Sequence, residues 1–225
     1  MVAFPTADEL ATVQTSDQRV SFRLTQADVL WTARAASRED PPEASIIVWA
    51  FTQRAVLFKL GNSSDTYTSV LRGFSQPINP IWARDGSMCR PGGKYAGHPE
   101  CSEDKLKARE WYTNATWEQL NARYPDVVQI VSLWATGRLV NRVPRVTNFA
   151  APKVAQSFLN HNPKAELFYK GDNWYIVDAE AVSWPSDYVT MSSPLGAVAM
   201  MDAGLPRQSF LASVVKGFSE WWRIG

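Results

Sequence analysis

Histidine and cysteine are scarce in this chain, with two of each among 225 residues. His98 lies between Cys89 and Cys101, and His161 lies far along the chain, which disfavours a Ser-His-Asp or Cys-His catalytic site. A zinc site would need a fourth ligand beside His98 and the two cysteines, from His161 or from distant carboxylates. No Gly-rich phosphate loop, zinc-protease motif or nucleophile elbow is present. We therefore expect carboxylates and polar side chains to carry any chemistry, with neither a metal nor a cofactor.

An excess of charge of one sign is also lacking. The chain has 23 Lys and Arg against 22 Asp and Glu, a net charge of +1 that disfavours nucleic acid as a partner. Met1 to Leu24 is polar and has no apolar segment typical of a signal peptide. Ala44 to Leu60 comes nearest to a membrane span, but Gln53, Arg54 and Lys59 interrupt it. The sequence predicts a chain made in the cytosol, with no signal peptide and no transmembrane segment.

Hydrophobic residues are plentiful, at 45% of the chain, which is enough for a sizeable core. The length fits one domain with an appendage or two small domains. Ten Trp, seven Tyr and ten Phe make a polymer-binding groove possible, although core packing is the default interpretation of aromatic residues.

Two helices are predicted around Glu39. Thr25 and Asp28 have the spacing of a capping box and mark a helix start. The residue before a proline avoids the helical region, so Asp40-Pro41-Pro42 must end this helix near Glu39. Glu43 to Leu60 is predicted as a buried helix.

The other elements are short. A β-hairpin is predicted where two apolar runs, Leu167 to Tyr169 and Trp174 to Val177, flank a turn at Lys170 to Asn173. Phe74 to Trp82 contains two prolines and is predicted to be irregular. Further helices are predicted at Thr66 to Gly73, Ser102 to Tyr112, from Thr116, Val127 to Thr136 and Ala151 to His161.

Glu39 is the candidate catalytic residue. A carboxylate at a helix end, against a buried helix, is partly desolvated, which raises its pKa and suits it to act as a general acid. Cleavage of a glycosidic bond needs such an acid to protonate the leaving oxygen. Considered alone, Glu39 is more simply interpreted as a solvated residue at a helix end.

Cys89 and Cys101 flank a loop rich in turn-forming residues. A disulfide would suit this loop, would stabilise it by roughly 3 kcal/mol and would imply work outside the reducing cytosol. Two free thiols and the zinc site remain the alternatives.

Several short motifs occur in an order that resembles the lysozyme-like cell-wall hydrolases, especially the spore-cortex-lytic hydrolases and their phage and virion-associated relatives. Besides Glu39 at its helix end, they are Thr52-Gln53-Arg54, Phe74-Ser75-Gln76-Pro77, Thr147-Asn148-Phe149-Ala150 and Gly171-Asp172-Asn173-Trp174-Tyr175. The resemblance implies an α+β fold: a mostly helical lysozyme-like domain with a small β-hairpin, at residues 25–189. Residues 1–24 would be an N-terminal arm. Two positions depart from the family, since Asp40-Pro41-Pro42 replaces small residues after the acid and Asn148 replaces a histidine.

The resemblance also implies roles for single residues. Glu39 would be the general acid. The substrate-binding residues would be Ser75, Gln76, Asn148, Asn173, Trp174 and Tyr175. Ser75 and Gln76 would bind the sugar N-acetyl groups or the reacting water, or would equally well form a turn that satisfies its own backbone.

Trp174 or Tyr175 would be a sugar platform, but a packed hairpin is the favoured interpretation of both residues. A second carboxylate could come from Asp40, Glu43 or Asp85 if the fold brings one of them close. A single acid fits a lytic transglycosylase, whereas hydrolysis would need a second carboxylate.

The C-terminal part, residues 190–225, is predicted as a linker followed by an amphipathic helix from Arg207 to Arg223. Its apolar stripe consists of Phe210, Leu211, Val214, Val215, Phe218, Trp221 and Trp222. Such a stripe either folds back onto the body or docks on a partner, and docking on another virion protein or a second copy is favoured. Binding to a membrane surface is a weaker option.

The sequence thus predicts a peptidoglycan-cleaving glycosidase of a phage particle, acting in the host cell envelope. The alternative is a catalytically silent virion protein that keeps the lysozyme-like body for interaction.

Overall fold

The computed structural model describes residues 1–61, 63–143, 145–150, 160, 166–170, 173–177 and 189–193. This part of the chain is a mixed structure of α-helices and small antiparallel sheets. Its helices are α1 Gln26–Glu39, α2 Ala44–Leu60, α3 Tyr67–Phe74, α4 Glu103–Asn114, α5 Trp117–Arg123 and α6 Pro125–Ala135. Its strands are β1 Thr12–Thr15, β2 Ser21–Arg23, β3 Val146–Ala150, β4 Glu166–Lys170, β5 Asn173–Val177 and β6 Val189–Ser192. Among the described residues, no helix is both long enough and apolar enough for a membrane crossing.

Helix α1 begins and ends where the sequence predicts. The Thr25 hydroxyl accepts a hydrogen bond from the Asp28 N–H at 3.2 Å, and the Asp28 carboxylate accepts one from the Thr25 N–H at 2.8 Å. The backbone of Asp40, before Pro41, lies outside the helical region, with φ of −155° and ψ of 80°. Glu39 is therefore the last residue of the helix, and a short 3-10 turn, Pro41–Glu43, leads directly into α2.

Helix α2 is the central element of the core. Ile47, Ala50 and Val56 are completely buried in it, as the long apolar run predicts. The buried amide of Gln53 donates to the carbonyls of Val143 at 3.1 Å and Val146 at 2.7 Å. Because a buried amide needs partners, this side chain ties the start of β3 to the helix.

The predicted hairpin is confirmed. Strands β4 and β5 pair in antiparallel fashion, with Leu167 opposite Ile176 and Phe168 opposite Tyr175. Strand β3 adds to the other edge of β5, which gives the order β3-β5-β4.

A second sheet, with the order β2-β1-β6, was not predicted. Leu10, Val13, Val20 and Leu24 are buried in the same core as the helices, so residues 1–24 pack as part of the body. Strand β6 pairs with β1, with Thr12 opposite Ser192. The first residues of the predicted linker are therefore a strand.

The remaining helix predictions are confirmed by α3, α4, α5 and α6, with small shifts at their ends. The proline-rich segment predicted to be irregular instead forms two 3-10 turns, Gln76–Ile78 and Pro80–Trp82. Proline fits the first positions of a helical turn because the N–H it lacks would have no partner there. The predicted helix at Ala151 to His161, apart from Asn160, and the predicted tail helix lie outside the described residues.

Candidate active site

Glu39 and Ser75 meet at the ends of two packed helices. Glu39 is the last residue of α1, and Ser75 caps the C-terminal end of α3. The Ser75 hydroxyl, which is completely buried, donates a hydrogen bond to Glu39 Oε1 at 2.6 Å. The structure therefore joins two of the residues that the sequence singles out, although they are far apart along the chain.

The pKa of Glu39 is raised above its ordinary value of 4.5. Burial is the main cause, and the neighbouring Asp40 charge acts in the same direction. The Ser75 hydrogen bond and the Arg38 charge oppose it. The carboxyl group thus keeps its proton to higher pH than a solvated glutamate, as a general acid requires.

Glu39 lies on a cavity of about 210 Å³ between α1, α4 and the turn that follows α3. The cavity is lined by Arg38, Glu39, Gln76, Pro77, Glu100, Lys105, Ala108, Arg109 and Tyr112. Gln76 thus lines the same cavity as the candidate acid.

One wall of the cavity is built from α4 and the loop before it. Arg109, which is 7% exposed, pairs with the Glu100 carboxylate at 2.7 Å and also donates to the Glu100 carbonyl. Lys105 Nζ lies 3.8 Å from the same carboxylate. Cys101, the residue after Glu100, is joined to Cys89 by a disulfide whose Cα atoms are 5.3 Å apart. The disulfide and the ion pair together fix this wall.

Glu100 is the site residue that sequence reasoning missed. The sequence offered Asp40, Glu43 and Asp85 as second carboxylates, and none of these lines the cavity. Glu100 stands at no fixed spacing from Glu39, so its only signal in the sequence is its position next to Cys101.

Tyr175 is not the sugar platform that the family resemblance implied. Its side chain is completely buried, so no face of its ring is open to a ligand, and the packed-hairpin interpretation is correct. Its hydroxyl donates to Asp40 Oδ2 at 3.0 Å. Burial and the Asp40 charge raise the pKa of Tyr175, which keeps its hydroxyl a neutral donor. Asp40 therefore supports the turn after Glu39.

Asn148, another predicted cleft residue, does not line this cavity. Asn148 lies on β3, where its side-chain oxygen accepts a hydrogen bond from the Phe149 N–H at 3.0 Å. The backbones of Asn173 and Trp174 belong to β5. Their side chains lie outside the described part of the structure.

The zinc alternative is wrong, because Cys89 and Cys101 are both consumed by the disulfide. His98 Nδ1 accepts a hydrogen bond from the Glu100 N–H at 3.2 Å and so caps a 3-10 turn. In the described ranges, no cluster of three His, Cys, Asp or Glu residues could hold a metal ion.

The arrangement offers one carboxyl group with a raised pKa, an orienting hydroxyl and a polar cavity, which suits proton donation to a bound oxygen. Comparisons with family models, with curated proteins and with solved structures found no match for this chain.

Proposed function

We propose that this chain is a peptidoglycan-cleaving glycosidase, a muramidase or lytic transglycosylase, built on a lysozyme-like domain. It would belong to a phage particle and open the bacterial cell wall locally. The observation that supports this proposal best is the Glu39 carboxyl group, which has a raised pKa, is held by Ser75 and borders a polar cavity. The motif order in the sequence adds the lysozyme-like resemblance.

In the proposed reaction, protonated Glu39 donates its proton to the glycosidic oxygen. Ser75 holds Oε1, which leaves Oε2 for the substrate. Gln76 lies on the same cavity and is placed to bind an amide of the sugar. As the bond breaks, positive charge develops on the sugar ring, and the newly formed Glu39 carboxylate stabilises it.

The other carboxylates near Glu39 are already held by an ion pair or a hydrogen bond, so a second catalytic carboxylate is lacking among them, which favours the lytic transglycosylase. Glu100, the other carboxylate that lines the cavity, is paired with Arg109, and Asp40 accepts a hydrogen bond from Tyr175. A single acid is sufficient when a hydroxyl of the sugar itself, rather than water, attacks the anomeric carbon and gives its proton back to the Glu39 carboxylate. Digestion of purified peptidoglycan would then release soluble fragments without new reducing ends, whereas a muramidase would release both together.

The first test is a zymogram on purified cell walls with the wild type and Glu39→Gln. Glutamine keeps the shape and can still accept the Ser75 hydrogen bond, but it has no proton to donate, so clearing should fall by about 10²-fold or more. Glu110→Gln is the matched control, since it removes one exposed ion pair with Arg84 on the opposite side of α4.

Two results would contradict the proposal. Wild-type activity of Glu39→Gln would remove Glu39 from the mechanism. No clearing by any of the three proteins would favour the alternative, a catalytically silent virion protein. The buried Asp40 turn in place of small residues after Glu39 is the feature that supports this alternative.

We also propose that the segment from Arg207 to Arg223 docks the enzyme on another virion protein or on a second copy. The support is the apolar stripe of its sequence, which would be poorly soluble on a free helix. Truncation after Ser193 keeps β6 and removes the segment. The truncated protein should remain folded, keep its thermal midpoint and lose assembly; unfolding or precipitation would show that the segment belongs to the core.

A further inference from the structure

Two arginines from different helices stack on one indole ring, outside the residues that line the Glu39 cavity. The guanidinium carbon of Arg34, on α1, lies 4.4 Å from the centre of the Trp31 ring. That of Arg72, on α3, lies 4.2 Å from the same centre. All three side chains are half-buried, so they remain in contact with solvent.

The two guanidinium groups lack a counter-charge in the described part of the chain. Arg34 donates through Nε to the Ala115 carbonyl at 3.0 Å. The Nε of Arg72 is buried and has no hydrogen-bond partner. Burial and the charge of Arg72 lower the pKa of Arg34.

Two other arginines of this protein are instead neutralised by carboxylates. Arg109 pairs with Glu100, and Arg84 pairs with both Glu103 and Glu110. Stacking on an aromatic face attracts a cation without supplying a negative charge. Trp31 therefore holds the two guanidinium groups in place without cancelling their charge. An anion bound between them would supply the missing negative charge.

The chemistry of the guanidinium group narrows the ligand. Its N–H groups form a planar fork that matches the oxygens of phosphate and carboxylate groups. A guanidinium stacked on a ring directs its N–H groups sideways, away from the ring. Two adjacent positive charges match a dianion better than a singly charged carboxylate.

We propose that Trp31, Arg34 and Arg72 form a binding site for a phosphate group, either free phosphate or a phosphomonoester. Arg72 and Arg34 supply the two positive charges, and Trp31 sets the positions of both guanidinium groups. The site does not depend on the proposed glycosidase activity, because it shares no residue with the Glu39 cavity.

The test is a titration of the full chain with inorganic phosphate at constant ionic strength, with chloride as the balancing anion. Saturable binding should raise the thermal midpoint by a few degrees, about 3 to 6 °C at ten times the dissociation constant. Arg72→Met and Arg34→Met should lose this rise, and Arg72→Lys should weaken it. Arg90→Met, which removes an exposed arginine from the disulfide loop, should keep it.

Three results would overturn the assignment. A rise that never saturates and is equal in all variants would be the general salt effect of phosphate. An equal effect of acetate would show a carboxylate site. Loss of the rise in Arg90→Met would show that overall charge is responsible.

A measurement on the wild type covers the case in which the arginine variants fail to fold. Phosphate should shift the Nε–H resonances of Arg34 and Arg72 and the indole N–H resonance of Trp31 with one common midpoint. Unchanged resonances at these three residues would refute the site.

Discussion

Replacing Ser75 by alanine removes the hydrogen-bond donor that the structure places 2.6 Å from the Glu39 carboxylate. A hydrogen bond to a charged group contributes about 1.5 to 3 kcal/mol, and its loss falls mainly on the ionised form of Glu39. About 1.4 kcal/mol corresponds to a tenfold change in an equilibrium constant, so the ionisation constant of Glu39 should fall by roughly tenfold or more.

The sign of the pH effect follows from the role of Glu39. The Ser75 hydrogen bond lowers the pKa of Glu39, so the variant should have a pKa raised further above the ordinary value. A general acid works in its protonated form, and activity is lost as the pH rises through its pKa. The alkaline limb of the kcat/KM profile should therefore move to higher pH in Ser75→Ala.

The assay is the loss of turbidity of purified peptidoglycan, measured over a series of pH values. Ser64→Ala, at an exposed position, is the matched control and should keep the wild-type profile. An alkaline limb that stays in place, or moves to lower pH, would refute the reasoning, because Ser75 would then not stabilise the Glu39 carboxylate.

Two further predictions concern stability. Glu39→Gln should raise the thermal midpoint at pH 7 and should have little effect below pH 4.5, the ordinary pKa of a glutamate. The reason is that folding raises the pKa of Glu39, so the wild type loses stability as the pH rises above 4.5 and the carboxyl group ionises. An equal difference in thermal midpoint at both pH values would contradict this. Replacing Cys89 and Cys101 together by serine should lower the free energy of unfolding by about 3 kcal/mol in urea titrations under non-reducing conditions. Fully reduced wild type should behave like the variant. Equal unfolding midpoints of oxidised and reduced wild type would contradict this prediction.

Local signals in the sequence predict helix α1 and the β4-β5 hairpin well. The Thr25 and Asp28 capping box and the prolines after Asp40 fix both ends of α1, because they act on neighbouring backbone groups. The turn at Lys170 to Asn173 predicts the hairpin for the same reason. These signals also placed Glu39 at a helix end, where burial could raise its pKa.

What the sequence could not predict depends on contacts between distant parts of the chain. The pairing of β1 with β6 has no local signature in the sequence. The disulfide and Arg109 place Glu100 beside the cavity, and no spacing from Glu39 reveals this. The two arginines on Trp31 come from separate helices, so neither helix alone indicates their meeting.

The pairing of β1 with β6 has a consequence for the order of synthesis. Strand β1 leaves the ribosome before β6, which follows only after on the order of ten to forty seconds of further translation. During this interval Glu39 and Ser75, which both precede β6 in the chain, are already available to meet. One edge of β1 stays unpaired until its partner arrives, so neighbouring nascent chains can exchange β6 strands and form swapped dimers.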